Sequence, residues 1–268
     1  MTTLLKLTAG AFMATAFGLS LPDDAQAQAV PASGVKNIVL VHGAFADGSS
    51  WAKVIPVLQA KGYNVIAVQN PLTSFSEDVA ATKRAIDAME GPVLLVGHSY
   101  GGMVISEGGK DPKVAGLVYV AALIPEEGQD VGTVNAAFPA TSGAAEIQLS
   151  PEGFLSLSSK GINESFAQDA SAEERRVIFA TQVPWAASAT QVKVYSPAWQ
   201  TKPSWVIVTT SDGMINPDLQ RAKVQTIKAK SIELKANHVP MVTAPKKVAS
   251  FIIEAASSVP ASQLVSKN

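Results

Sequence analysis

The stretch Pro92–Gly102, "PVLLVGHSYGG", constrains this chain more than any other. A run that favours an extended, buried strand meets a serine, Ser99, with glycine two positions to either side, Gly97 and Gly101. Lifting a serine oxygen clear of a sheet needs a turn from strand to helix so sharp that the serine takes up a strained backbone, and side chains two residues before or after it would clash. Glycines at both places remove that clash. The opposing reading is a glycine-rich turn that happens to hold a serine; the strand before it and the helix after it count against that.

Such a turn needs a sheet, and the rest of the chain supplies one. "VKNIVLVHG", "YNVIAVQ", "PVLLVG", "VAGLVYVAAL", "SWVIVTT" and "SIELK" read as strands. The continuous apolar runs of the first four are those of strands covered on both faces, as parallel strands are. Helical segments alternate with them. Trp51, Val54, Ile55 and Leu58 share one helical face, with Ser49 or Ser50 as N-cap and Gly62 past the end. Pro56 falls inside that pattern and predicts a kink or a late start. Ser74 and Glu77 have capping-box spacing ahead of "FSEDVAATKRAIDAM", Asn216 and Pro217 open another helix, and "PKKVASFIIEAA" is the last. Strand and helix in alternation predict an α/β fold with a doubly wound, mostly parallel six-stranded sheet.

From about 124 to 202 the rhythm stops. The segment is rich in Ser, Ala, Gly and Gln, with helix starts at "SPEGF" and "SAEERR" and no strong strand, and it reads as an inserted, mostly helical cap. With 268 residues and 47% apolar content, one large core suffices, so residues 30–268 are expected to form a single domain. Residues 1–29 have the layout of a secretory signal: Lys6, an apolar run from Leu7 to Leu21, then "AQAQA" as the cleavage region. That run is short for a membrane span, so export to a periplasm or the medium is expected, with no stable membrane anchor.

Lys and Arg number 21 against 22 Asp and Glu, which gives no reason to expect nucleic acid or an anionic membrane as partner. Removing residues 1–29 would take away Lys6, Asp23 and Asp24 and leave the charges balanced. There is no cysteine, hence no disulfide and no thiolate metal site. A small apolar molecule, met by a monomer or homodimer, fits better.

A serine hydroxyl needs a base beside it, usually histidine. His98 adjoins the serine and should point elsewhere; His42 ends the first strand; His238, in "ANHVPM" after the last strand, is left as the base. The base needs an anion to hold its tautomer. Asp212 directly follows "SWVIVTT" and gives the order Ser, Asp, His. Glu126 or Glu127, after the fourth strand, are rivals for that role, whereas Asp218 suits a helix N-terminus. Two backbone N–H groups are placed to hold an oxyanion: that of Tyr100, just past the serine, and that of Ala44 in "HGAF", with Gly43 allowing close approach. Phe154, Phe166, Phe179, Trp185, Tyr195 and Trp199 lie in or beside the cap and either line an apolar pocket or pin the cap to the sheet.

"VHGAFADGSSW", "GHSYGG", "TTSDGMINPDLQ" and "NHVPM" together resemble the α/β-hydrolase superfamily, and most its branch of small esterases related to plant methylesterases and hydroxynitrile lyases. The resemblance runs from about Val35 to Ala256 and is weakest in the cap. It implies Ser99, Asp212 and His238 as triad, Ala44 and Tyr100 as oxyanion donors, a cap after "VAGLVYVAAL", six parallel strands, and neither cofactor nor metal. The lyases of the branch carry threonine where this chain has Gly43 and lysine where it has Val239. That lysine charge stabilises a leaving cyanide, so its absence favours ester hydrolysis through an acyl-enzyme on Ser99. Lyase, lactonase, perhydrolase or cofactor-free oxygenase chemistry at the same site is the enzymatic alternative; an idle hydrolase fold that binds a small molecule is the other.

Overall fold

A chain whose strands are apolar on both faces has to cover both sides of its sheet, and the computed structural model, which describes residues 34–264, does so with helices. The strands are β1 (Asn37–Val41), β2 (Asn64–Val68), β3 (Val93–His98), β4 (Val114–Val120) and, after an insertion, β8 (Ser204–Thr209) and β9 (Lys230–Leu234). They pair in the order β2-β1-β3-β4-β8-β9, every pair parallel. β1, β3 and β4 are buried along their whole length, whereas the outer strands expose Asn64, Lys230, Ser231 and Glu233, as edge strands can. The predicted signal segment, 1–29, lies outside the described residues.

Helix α1 (Ile55–Gln59) packs with α9 (Pro245–Ser258), and α2 (Phe75–Asp87) with α3 (Gly101–Gly108). The first helix starts late. Asp47, rather than Ser49 or Ser50, caps a short 3-10 turn at Gly48–Trp51, and α1 begins only at Ile55, with Pro56 in the first turn where its missing N–H costs nothing. Trp51, Val54 and Leu58 are fully buried all the same. Ser74 caps α2, and Asn216 caps α7 (Pro217–Thr226).

Between β4 and β8 the chain forms α4 (Val131–Asn135), β5 (Ile147–Leu149), β6 (Phe154–Leu157), α5 (Ser159–Gly161), a π-helical turn at Ile162–Phe166, α6 (Ala172–Thr181) and β7 (Trp185–Ala186). Helices are present there, and Ser171 opens α6 with a complete capping box. The segment departs from expectation in also carrying a three-stranded antiparallel sheet, β5-β6-β7. "SPEGF" starts no helix. It is the bend of the β5–β6 hairpin, where Gly153 sits at φ +83° and the Gly153 N–H donates to the Ser150 carbonyl at 3.0 Å.

The sheet order reverses between β1 and β3. The chain leaves β1 toward β2 on one side and returns through β3 on the other, opening a crevice at the carboxyl ends of these strands. Ser99 follows β3 and "HGAF" follows β1, so both arrive at that crevice.

Candidate active site

Ser99 stands at φ +53°, a left-handed conformation that costs a non-glycine residue about 1–3 kcal/mol. The neighbourhood enforces it. The Ser99 N–H donates to the Val120 carbonyl (3.2 Å), and the Ser99 carbonyl accepts from Leu123 (3.1 Å) and Gly102 (2.9 Å) N–H groups. The flanking glycines are demanded by close backbone approach: a Cβ on Gly97 would lie 2.6 Å from the Gly101 carbonyl oxygen, and one on Gly101 would lie 2.7 Å from that of Val41.

The carboxyl ends of β8 and β9 deliver the remaining polar groups. His238 Nε2 lies 2.8 Å from Ser99 Oγ, and His238 Nδ1 lies 2.9 Å from Asp212 Oδ2. With Asp212 as carboxylate, Nδ1 carries the proton and donates, leaving Nε2 to accept from the serine hydroxyl. Asp212 is held by more than the imidazole. Its Oδ1 accepts from the Met214 (2.8 Å) and Ile215 (3.0 Å) N–H groups, and its Oδ2 accepts also from Thr209 Oγ1 (2.9 Å) and Gln220 Nε2 (2.8 Å). The rival carboxylates are engaged elsewhere: Glu126 accepts from Lys223 Nζ at 2.6 Å and Glu127 from the Ser196 N–H at 2.7 Å. Asp218 pairs with Arg221 at 2.8 Å.

The Ala44 and Tyr100 N–H groups take no part in the backbone hydrogen bonds among the described residues. Gly43 lets the first of these turns close on the serine, since a Cβ there would lie 2.6 Å from Ser99 Cβ. His42 and His98 frame this floor from inside the protein. His42 Nδ1 donates to the Gly43 carbonyl (2.8 Å) while Nε2 accepts from the Asn70 N–H (2.9 Å), which fixes a neutral tautomer; burial holds its pKa below the ordinary value. His98 Nε2 donates to the His238 carbonyl at 2.8 Å, and burial pushes His98 well below the usual histidine range. Two of the three histidines are thus neutral scaffolding.

Of the six cap aromatics, two reach the site. The Phe166 ring packs on His238 (centroids 5.2 Å) and His98 (6.5 Å), while Trp185 packs on Tyr100 (4.7 Å) and Phe45 (6.0 Å). Trp199 instead pins the cap through a bond from Nε1 to the Pro125 carbonyl (2.7 Å), Phe179 and Tyr195 are exposed, and Phe154 is half-buried in β6. Under this cover Ser99 keeps only 9% of its surface. Thr209 and Gln220 went unrecognised in the sequence. The one available signal was a glutamine one turn inside a helix that starts just after an aspartate. No group of three or more His, Asp or Glu side chains is arranged to hold a metal among the described residues.

The parallel sheet, the strained serine at its switch point and the hydrogen-bond chain from Ser99 through His238 to Asp212 define a class. The chain belongs to the alpha/beta hydrolase family, whose model matches residues 38–251. It is similar to probable hydrolase R7 of a Phoma species, 25% identical over 246 residues that span 82% of this chain and 97% of that one. It is similar also to salicylic acid-binding protein 2 of Nicotiana tabacum, 26% identical over 254 residues, with 82% and 97% covered. Among solved structures, polyneuridine aldehyde esterase superposes with a TM-score of 0.72 at 21% identity, covering 82% of this chain and 99% of that one, a likeness of fold.

Proposed function

We propose that this hydrolase-family protein is a serine esterase that cleaves small apolar carboxylic esters through an acyl-enzyme on Ser99. The observation that carries the reading is the continuous hydrogen-bond chain from Ser99 Oγ through His238 to Asp212, 2.8 and 2.9 Å long, on a serine held in left-handed backbone. His238 Nε2 takes the hydroxyl proton as Ser99 Oγ attacks the ester carbonyl. The N–H groups of Ala44 and Tyr100 hold the oxyanion, and rigid backbone donors need no reorganisation as charge develops. His238 then gives its proton to the departing alkoxide. A water deprotonated by the same nitrogen attacks the acyl-enzyme and frees the acid.

Asp212 keeps the imidazole in the required tautomer and stabilises its charged form. Aromatic rings on the cap side favour an uncharged substrate, and the buried Val239 offers no cation to a leaving anion, which supports hydrolysis over cyanide-releasing lyase chemistry. For residues 1–29 the reading is an export signal, to be checked by N-terminal sequencing of the exported protein.

The test is intact-mass analysis after a fluorophosphonate probe, with peptide mapping, alongside a chain-length series of p-nitrophenyl esters. A single adduct on Ser99 with turnover of short esters is expected. No adduct and no turnover would refute the esterase reading.

A further inference from the structure

Asp78 sits in the first turns of α2, fully buried, and its partners are neutral: Tyr100 Oη donates to its Oδ2 at 2.8 Å and the Leu72 N–H to its Oδ1 at 2.8 Å. Burying a carboxylate with only neutral donors is costly against leaving it in water. Burial accordingly holds its pKa above the usual carboxylate range and pushes the Tyr100 phenol upward as well. A group this costly calls for a role, and its partners indicate one.

Leu72 is itself in left-handed backbone, φ +57°, and its carbonyl accepts from the Ala186 N–H at 2.8 Å. Ala186 ends β7, whose other residue is Trp185. Trp185 returns to the start of the circuit, packing on the Tyr100 ring at 4.7 Å and on Phe45 at 6.0 Å. Tyr100 and Phe45 are, respectively, one of the proposed oxyanion donors and the neighbour of the other. The contacts therefore close a ring: Tyr100 to Asp78, to Leu72, to the cap strand, to Trp185 and back to Tyr100.

We propose that Asp78 is a specificity-determining positioning residue: through Tyr100 and Leu72 it latches Trp185 over the two oxyanion turns and so limits the size of the acyl group the site admits. This rests on the esterase reading for its substrate, though the latch itself can be measured without it. Releasing the latch lets Trp185 swing away, and long acyl chains gain relative to short ones. Asparagine can keep the ring closed, because its oxygen accepts from Leu72 while its N–H donates to the Tyr100 oxygen.

The experiment takes the parent, Asp78→Ala, Asp78→Asn and Tyr100→Phe. In each, kcat/KM is measured for p-nitrophenyl octanoate and acetate, and amide hydrogen exchange is followed in the peptide that contains Ala186. A ratio of two substrates on one preparation is blind to the fraction of enzyme folded, so a merely structural loss does not move it. The octanoate-to-acetate ratio is expected to rise about tenfold in Asp78→Ala and about fivefold in Tyr100→Phe, the scale of one lost hydrogen bond, and to stay within about twofold of the parent in Asp78→Asn. Exchange at Ala186 is expected to accelerate in Asp78→Ala and Tyr100→Phe. An unchanged ratio in both of those variants, or exchange that keeps the parental rate, overturns the proposal; if Asp78→Ala does not fold, Tyr100→Phe decides alone. A parent that turns over neither ester refutes the esterase reading, and hydrogen exchange then decides the latch by itself.

Discussion

Strands β3 and β4 bury every residue along their length, while the ten-residue helix α6 in the insertion buries none. The two regions meet over the same serine and share one apolar core, yet they differ in how much of each element that core holds. The sheet is fixed by apolar side chains packed on both faces, so the groups that leave its carboxyl edge are held with little freedom. The insertion is held by scattered buried anchors such as Leu157, Ile162, Phe166, Trp185 and Val194, joined by one capping box, strands of two to four residues and surface ion pairs such as Lys53–Glu174. In the proposed esterase, chemistry that needs positions accurate to fractions of an ångström is assigned to the first, and selection of what enters, which needs adaptable walls, to the second.

The largest effect expected on this contrast is in the reacting group. Ser99→Ala should lower kcat/KM at least about 10⁴-fold with an unchanged unfolding midpoint, measured by ester turnover and thermal melting. Retained turnover in a pure sample would break the assignment of chemistry to the sheet edge. Next comes the backbone beneath it. Gly101→Ala places a Cβ 2.7 Å from the Val41 carbonyl oxygen, which no rotamer relieves, and should cost about 2–3 kcal/mol in urea unfolding.

Gln220→Leu removes a donor to Asp212 Oδ2 and the acceptor of the Thr209 N–H, so it should cost about 2 kcal/mol of stability and lower kcat about tenfold with little change in KM. A change confined to KM would mean that Gln220 does not act through Asp212.

Acid should weaken the protein in a definite direction. His42 and His98 have native pKa values held below 6.5 by burial, so below about pH 6.5 the unfolded chain binds protons that the native state refuses. Stability therefore falls as pH falls, by up to about 1 kcal/mol per pH unit for each histidine, until the native pKa is reached. Asp78 has the opposite sign, because burial raises its native pKa and protonation then favours the folded state, offsetting part of that loss at lower pH. Urea midpoints between pH 7.5 and 5 measure this, and a flat profile would show that the two rings are not buried as described.

The smallest effect belongs to the insertion. Lys53→Ala breaks an exposed ion pair to α6 and should change stability by less than about 1 kcal/mol. A loss of several kcal/mol would erase the contrast between the two regions.

Legibility followed the same division. Five strands of the main sheet could be read because apolar runs mark them, β9 because Ile232 and Leu234 alternate with polar residues, and the elbow because its glycines answer a local clash. Asp212 could be singled out because it closely follows a strand, and His238 because the other two histidines are placed for other roles and it closely follows the last strand. The cap strands could not, since strands of two to four residues carry no period, and "SPEGF" contains both a helix-start pattern and a turn glycine. Gln220 lies eight residues past Asp212 and is hidden only because which helix face turns back is set by the packing, whereas the Asp78 bond to Tyr100 and the His98 contact to the His238 carbonyl depend on separate elements. Only the assembled sheet brings them together.

The order of these elements has a consequence for a chain emerging from its amino end. The serine and both oxyanion turns belong to the first four strands, whereas Asp212 and His238 arrive only after β8 and β9, the last to join the sheet. A nascent or truncated chain lacking its final quarter would thus carry the proposed nucleophile without its proposed proton acceptor. On the proposed esterase reading, reactivity is switched on by completion of the sheet, so ester turnover would double as a report that the carboxyl end has found its place.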